Sequence, residues 1–506
     1  MTKFTLVLLC IFIIGINPSR AQLDREQIRI ESSKELRSSL LEFRSFLSIP
    51  NNGKIPADID ANVVWVREAL KNRGFESKVL VEGGVKHVYA SGKKDSKKKT
   101  ILVYFQVDGQ PVDSSEWNQE SPYIPELMEK IDGNWEILNW NFIDGDINED
   151  WRIFARSASD SKGPTMTFMS ALDILASKGM EPSVNLKLIF DFQEEISSPQ
   201  LAKLIEKNKE LFEADGILIM DGTRHLSNLP TLAFGARGIS TITLRIFGAE
   251  RDLHSGQYGN FAPNPVFKAA SLLTAMKDES GRVLIPGFYE GVNFTEEDRR
   301  VMAAVPESNE EIEKELGFAK MDQVGNSYQE AMQYPSLNVR GIQAAWVGEE
   351  VRTIIPSEVI LEIDMRTVAE TPNERQVKLV REFIEVQGYH LIEGEPTAEE
   401  RQTYPKLASF AYRIGSQPFR ADLNSNFSNW LSQGMNAAFG DNFIKMRLTG
   451  GSQPMAPFIN VLGIPAVSVR IPNPDNNIHA PNENIRLGNY LEGIQTCLGL
   501  LTQPFE

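Results

Sequence analysis

The stretch SKGPTMTFMSALDILASKGMEPSVNLKLIFDFQEE, residues 161–195, carries the reading that decides the fold. Met166, Met169, Leu172 and Leu175 recur at helical spacing, Pro164 suits a first helical turn, and Gly179 ends the segment. Leu186 to Phe192 then runs as a short apolar strand closed by Gln193, Glu194 and Glu195. Upstream, TILVYFQVDG supplies the same kind of run over Ile101 to Gln106, and downstream Ile217 to Met220 leads into Asp221. Short apolar runs that end in polar residues mark strands buried on both faces. Strand, crossover helix, strand predicts an α/β domain around a mostly parallel sheet.

Beyond Arg237 the pattern changes. ISTITLRIFGAE alternates apolar and polar residues, VILEIDMRTV repeats that alternation over Val359 to Val368, and a helical Asn373 to Val386 precedes the strand-like GYHLIE. Alternating strands with one wet face predict an antiparallel sheet with helices on one side, an α+β insert. The expected division is residues 22–237 and 398–506 for the two parts of the α/β domain, with Gly238 to Thr397 inserted between them. The run KKDSKKK, Lys93 to Lys99, reads as a solvated turn between strands.

Within 506 residues, 52 basic and 68 acidic side chains leave a net charge of −16, which argues against a nucleic-acid backbone or an anionic membrane as partner. A small molecule or another protein is expected. The first residues, MTKFTLVLLCIFIIGINPSRAQ, place an apolar run between Lys3 and Ser19-Arg20-Ala21. That pattern reads as a signal peptide over residues 1–21, hence a secreted or periplasmic protein, because the run is shorter than the ~20 residues a membrane span needs. Cleavage there removes Cys10 and leaves Cys497 as the one cysteine, so no intramolecular disulfide is expected.

In open α/β sheets the ligand site lies beyond the carboxyl ends of the parallel strands. Those ends carry Gln106 and Asp108, then Glu194 and Glu195, then Asp221, while Asp160 precedes the crossover helix. Carboxylates converging from several strand ends repel one another unless a cation lies among them, which points to a divalent metal. Of the five histidines, His479 lies in the polar loop NNIHAPNENI, where an imidazole has no core to fill, and reads as a ligand. His254 lies in the polar turn ERDLHSGQYGN of the insert. His87, placed on a surface strand, and His390 read as structural, and His225 has no recognisable context.

These residues carry a resemblance. SASDSKGP, FQEEISSP, ILIMDG, FGARG, DLHSGQYGN, TIIPSEVILEIDMR, TGGSQP and IHAPNEN occur in the order found in the co-catalytic zinc metallopeptidases that include carnosinase-like dipeptidases, aminoacylase, succinyl-diaminopimelate desuccinylase and glutamate carboxypeptidase. The chain resembles the dipeptidase branch most, with an extra stretch around Glu126 to Asp150. The resemblance implies a zinc-peptidase-like catalytic domain with an inserted lid and dimerisation domain. It also implies a homodimer and a metal-dependent hydrolase of peptide or amide bonds. Asp160 would bridge two metals, Glu195 and His479 would complete one site, and Asp221 would belong to the other. Glu194 would be the general base for a metal-activated water and Asp108 would orient the ligand two residues before it. His254 of the partner subunit would donate to the oxyanion, and Thr353, Arg366 and Ser452 would hold the substrate.

One departure stands at a ligand. The family pattern His-x-Asp is here Gln106-Val107-Asp108, and a neutral amide oxygen suits Mn or Mg better than Zn. One or two ions per chain are therefore both open. Ser161 beside Asp160 is a second, smaller departure. Three functions follow from the resemblance: a dipeptidase, an N-acyl amino acid deacylase, and a catalytically silent relative acting as a binding module.

Overall fold

The computed structural model describes residues 22–451 and 455–506. The segment read as a signal peptide and Ser452 lie outside the described residues. No helix among the described residues is long and apolar enough to cross a membrane.

Thr100–Gln106 lies at the heart of an eight-stranded sheet, hydrogen-bonded in parallel to Asn185–Asp191 on one side and Gly216–Ile219 on the other. Ala466–Arg470 extends the parallel run beyond Gly216–Ile219. Antiparallel Val85–Ser91 and Glu76–Glu82 continue one edge, and Thr231–Ala233 with Ile444–Met446 form the other. The apolar run of the central strand serves both faces, since alternate residues of a strand point to opposite sides. Ile101, Val103 and Phe105 join one core cluster, with Met166 and Met169 of the crossover helix Lys162–Ser177. Leu102 and Tyr104 join the cluster on the opposite face with Leu201, Leu204 and Phe458. The crossover helix lies beside Arg25–Leu47, and Leu487–Thr502 packs against both as well as against Asn426–Phe439.

The insert has its own core. Gly238–Phe247 pairs antiparallel with Glu358–Thr367, whose burial alternates residue by residue as the sequence predicts. Ile242, Leu244, Leu361 and Ile363 face helices Pro265–Met276 and Asn373–Val386 from the covered side. The insert extends past the expected boundary at Thr397. Leu407–Ile414 pairs with Gly238–Phe247 from Ser240↔Ile414 to Ile246↔Ala408, so it is a strand of the insert and not the return of the α/β domain. The short helix Ala398–Thr403, closed by a Thr397/Glu400 capping box, gives the sequence a helical texture just where the sheet has one strand still to add.

His87 is a second correction. Its strand is not a surface strand at that point: the imidazole is fully buried, with Nε2 3.4 Å from Asp191 Oδ1 across the Val85–Ser91/Asn185–Asp191 pairing. The extra stretch forms the hairpin Glu126–Ile131/Asn134–Leu138, joined by Arg152–Phe154 and Asn484–Arg486 into a four-stranded sheet that flanks the loops of Asp160 and His479. Cys497 is free and buried, and burial pushes its thiol up to about 12.

Candidate active site

Each expected ligand stands where an element ends. Gln106 closes its strand, Glu194 and Glu195 open the short 3-10 turn Glu194–Ile196 after Asn185–Asp191, and Asp221 follows Gly216–Ile219. Asp160 precedes the crossover helix, and its peptide bond to Ser161 is cis. His479 follows Ala466–Arg470 in a loop where Asn477, His479 and Asn482 all take positive φ. For His479, at φ +61°, that conformation costs on the order of 1 kcal/mol. The loop holds it by Ile478 N–H on Asn476 Oδ1 (2.8 Å) and Ala480 N–H on the Asn477 carbonyl (3.0 Å).

Asp160 turns its two carboxylate oxygens to two different sets of partners. His479 Nε2 lies 2.9 Å from Asp160 Oδ2 and 3.3 Å from Glu195 Oε2. Ligand atoms of these three residues lie within 4.8 Å of one another, a group that could hold a metal ion. Asp160 Oδ1 faces the other way, toward the Ser161 hydroxyl at 3.0 Å, which also lies 3.2 Å from Asp221 Oδ1 and 3.4 Å from Gln106 Oε1. One set therefore offers two carboxylates and an imidazole, the other two carboxylates and an amide oxygen. Both fit a divalent cation, the first a borderline ion such as zinc and the second a harder one. Gln106 is buried, and its Nε2 makes no hydrogen bond.

The charges confirm how crowded this corner is. Burial first, then Asp221 and Asp160, holds the Glu194 carboxyl well above its ordinary range. Burial and Asp160 push Glu195 up to about 8, although His479 and a 2.7 Å hydrogen bond from Gln110 Nε2 act against that. The hydrogen bond to Asp160 raises the His479 imidazole to about 9. A cation among these carboxylates would relieve the same repulsion.

Asp108 takes a different partner from the one expected. Its Oδ1 accepts from Glu194 N–H (3.0 Å) and its Oδ2 from Glu195 N–H (3.1 Å), so it caps the Glu194–Ile196 turn. The strand ends at Gln106, so the rule that residues two apart share a face no longer applies at Asp108, and the turn's first N–H groups need an acceptor.

Three residues were not singled out from the sequence. Glu483, fully buried, accepts from Ser159 N–H and Asp160 N–H through Oε1 (2.9 Å each) and from Ser157 N–H and Arg156 Nη1 through Oε2 (2.8 Å each). It ties the loop of His479, four residues before it, to the loop of Asp160. The acidic residue inside PNENI was the available signal. Asp191, fully buried, accepts from Tyr104 Oη (2.9 Å), Ser198 Oγ (2.6 Å) and Gln193 N–H (2.9 Å) beneath the Glu194–Ile196 turn. Lys162 donates Nζ to the carbonyls of Phe46 (2.9 Å) and Ile49 (2.7 Å), anchoring the start of the crossover helix.

The expected substrate residues of the insert stand on or beside its own strands. His254 is exposed, and its Nδ1 accepts from Gly256 N–H at 3.1 Å. Thr353 adjoins it, its carbonyl accepting from Ser255 N–H at 3.1 Å. Arg366 lies on Glu358–Thr367, between Ile239 and Ser336, close enough that its charge lowers the pKa of Arg237.

Residues 131–503 match the model of a family described as peptidase family M20/M25/M40. The human Beta-Ala-His dipeptidase is 26% identical over 405 residues, 79% of this chain and 73% of that protein. The Cys-Gly metallodipeptidase DUG1 of Candida albicans is 26% identical over 423 residues, 80% of this chain and 79% of its own length. Among solved structures, the M20 family metallo-carboxypeptidase Sso-CP2 from Sulfolobus solfataricus superposes with a TM-score of 0.72 at 28% identity, covering 92% of this chain and 99% of that one.

Proposed function

This chain belongs to peptidase family M20/M25/M40 and is a hydrolase of peptide bonds, and from that premise we propose that it cleaves dipeptides at a site where Asp160, Glu195 and His479, with Asp221 and Gln106, would hold divalent cations. The observation that carries the reading is the division of the Asp160 carboxylate between the Glu195/His479 set and the Asp221/Gln106 set. Divalent cations held there would supply a water of lowered pKa and polarisation of the scissile carbonyl. The chain's own residues do the rest. Glu194, on the turn that opens after Asn185–Asp191, takes the proton of the attacking water and returns it to the departing amine as the C–N bond breaks. Asp108 fixes that side chain through the backbone of the turn on which it stands.

His254, brought by the insert of a second copy in a homodimer, donates to the developing oxyanion. Thr353, Arg366 and Ser452 take the substrate's backbone and carboxylate, where a guanidinium offers a paired fork. Removal of residues 1–21 on export completes the reading. The curated relatives that act on dipeptides support this substrate class over N-acyl amino acids.

Steady-state assays of the purified chain with dipeptides and with N-acetyl amino acids, after dialysis and with Zn, Mn or Mg restored, test it. Dipeptide hydrolysis lost in Glu194→Gln supports the proposal, and turnover confined to N-acetyl amino acids overturns the substrate class. No turnover of either class under any metal makes the chain a silent relative. Gln106→His should tighten the second cation at least tenfold by calorimetric titration. Titrations identical to those of the unaltered chain would remove Gln106 from the ligand set.

A further inference from the structure

The insert contains a cavity of about 310 Å³ that none of the described ligand or substrate residues named above lines. It opens between helices Asn309–Leu316 and Tyr328–Met332 and the strand Ser336–Gln343, with walls from Ile312, Leu316, Phe318, Met321, Val324 and Leu337. Folded proteins close such apolar space, because uncovered carbon costs about 25 cal/mol per Å² and forfeits its packing contacts. A cavity of this size sits at the small end of ligand sites.

Two cations line it: Lys277, which is paired with Asp322, and Arg237. Arg237 stands where the chain passes from Gly235–Ala236 of the catalytic domain into Gly238–Phe247 of the insert. Its Nη2 donates to the Tyr334 carbonyl at 2.7 Å and its backbone N–H to the Thr449 carbonyl at 3.1 Å, while Nε is buried without a hydrogen bond. Among the described residues no carboxylate lies within ion-pair distance of this guanidinium. The acids that line the cavity are already engaged: Glu313 accepts from Met321 N–H at 2.8 Å, and Asp322 pairs with Lys277 at 3.1 Å. Burial, then the charge of Arg366, pushes Arg237 down to about 10, which an anion beside it would reverse. The cavity also adjoins the segment before Ser452, since a methyl placed on Gly450 would lie 3.9 Å from Met332 Sδ.

We propose that this cavity binds a carboxylate with an apolar body, the carboxylate on Arg237 and the apolar part between Ile312, Phe318 and Val324. Two sources share that chemistry, the C-terminal residue of an apolar dipeptide and a free medium-chain fatty acid. With a net charge of −16, the protein as a whole repels carboxylates, so tight uptake of one requires a built site.

The test is a calorimetric titration of the metal-free full chain with decanoate, decanol and decyltrimethylammonium. The expected result is one decanoate per chain, bound at least tenfold more tightly than decanol, with no uptake of the cation. Arg237→Met should weaken decanoate at least tenfold and leave decanol unchanged, and Val324→Trp should block both. Photolabelling of the unaltered chain with a diazirine-bearing decanoate should place the adducts between Asn309 and Leu337, a result independent of how the variants fold. Equal binding of decanoate and decanol, or adducts elsewhere, overturns the proposal. Displacement of decanoate by Gly-Phe assigns the site to the substrate, and failure of Gly-Phe to displace it assigns the site to a separate ligand.

Discussion

Glu483 concentrates more of the site's geometry than any ligand does. Four donors meet its two oxygens, and an amide offers one acceptor oxygen in their place. Glu483→Gln should therefore leave Arg156 without its charge partner and lower the unfolding free energy by about 3 kcal/mol. Because the same group sets the Asp160 loop against the His479 loop, zinc affinity should fall 10- to 100-fold. Denaturant unfolding and metal titration measure the two effects separately, and unchanged affinity would reduce Glu483 to a structural residue. Asp191 makes a second prediction. Burial alone would raise its pKa, but His87, Ser198 and the Gln193 N–H outweigh that and hold it near about 2, against an ordinary 3.8. A carboxyl depressed in the folded state contributes stability above its unfolded pKa and loses it as the pH falls toward the folded value. Stability should thus drop between about pH 4 and pH 2, with a shallower slope in Asp191→Asn, as urea unfolding at successive pH values would record.

Among elements, two helices of the second part of the catalytic domain pack at glycine distance behind the sheet. Asn426–Phe439 and Leu487–Thr502 approach until Gly499 faces the Gly434 carbonyl, and a methyl at Gly499 would enter that oxygen's van der Waals radius. The backbone must give way, because no flexible side chain is there to move. Gly499→Ala should destabilise the fold by about 1–3 kcal/mol, read as a lower unfolding midpoint at an unchanged denaturant slope. The contrasting change Gly463→Ala meets no atom within 4 Å, but Gly463 takes φ +67°, so it tests backbone strain and not packing.

For the whole molecule, the property that matters is which copy of the chain supplies His254 to the Asp160 cluster. His254 stands exposed on the insert, and the proposed oxyanion donor is the one brought by a second copy. Mixing inactive His254→Ala with inactive Glu194→Ala should restore part of the activity through mixed dimers, up to about a quarter of the sites at equal proportions if exchange is random. Sedimentation must show that subunits have exchanged. Exchange without recovered activity would leave the oxyanion to groups of the same chain.

The periodicities of the sequence alone determined the elements and their order. The helix at Lys162–Ser177, the parallel strands on either side and the insert's helix Asn373–Val386 follow from spacing that acts over a few residues. The polar residues at strand ends were legible for the same reason, since a strand's last residue is fixed by where its apolar run stops. Tertiary structure decided the partners. Asp108 meets the Glu194–Ile196 turn, His87 is buried against Asp191, and Leu407–Ile414 joins the insert's sheet, each through a neighbour brought by strand order from elsewhere in the chain. Asp160 and His479 are 319 residues apart, and Asp160 and Glu483 are 323. Local spacing carries no information about such pairs. They form because an eight-stranded sheet places its loops side by side at one edge, where each buried charge and N–H must then find a partner.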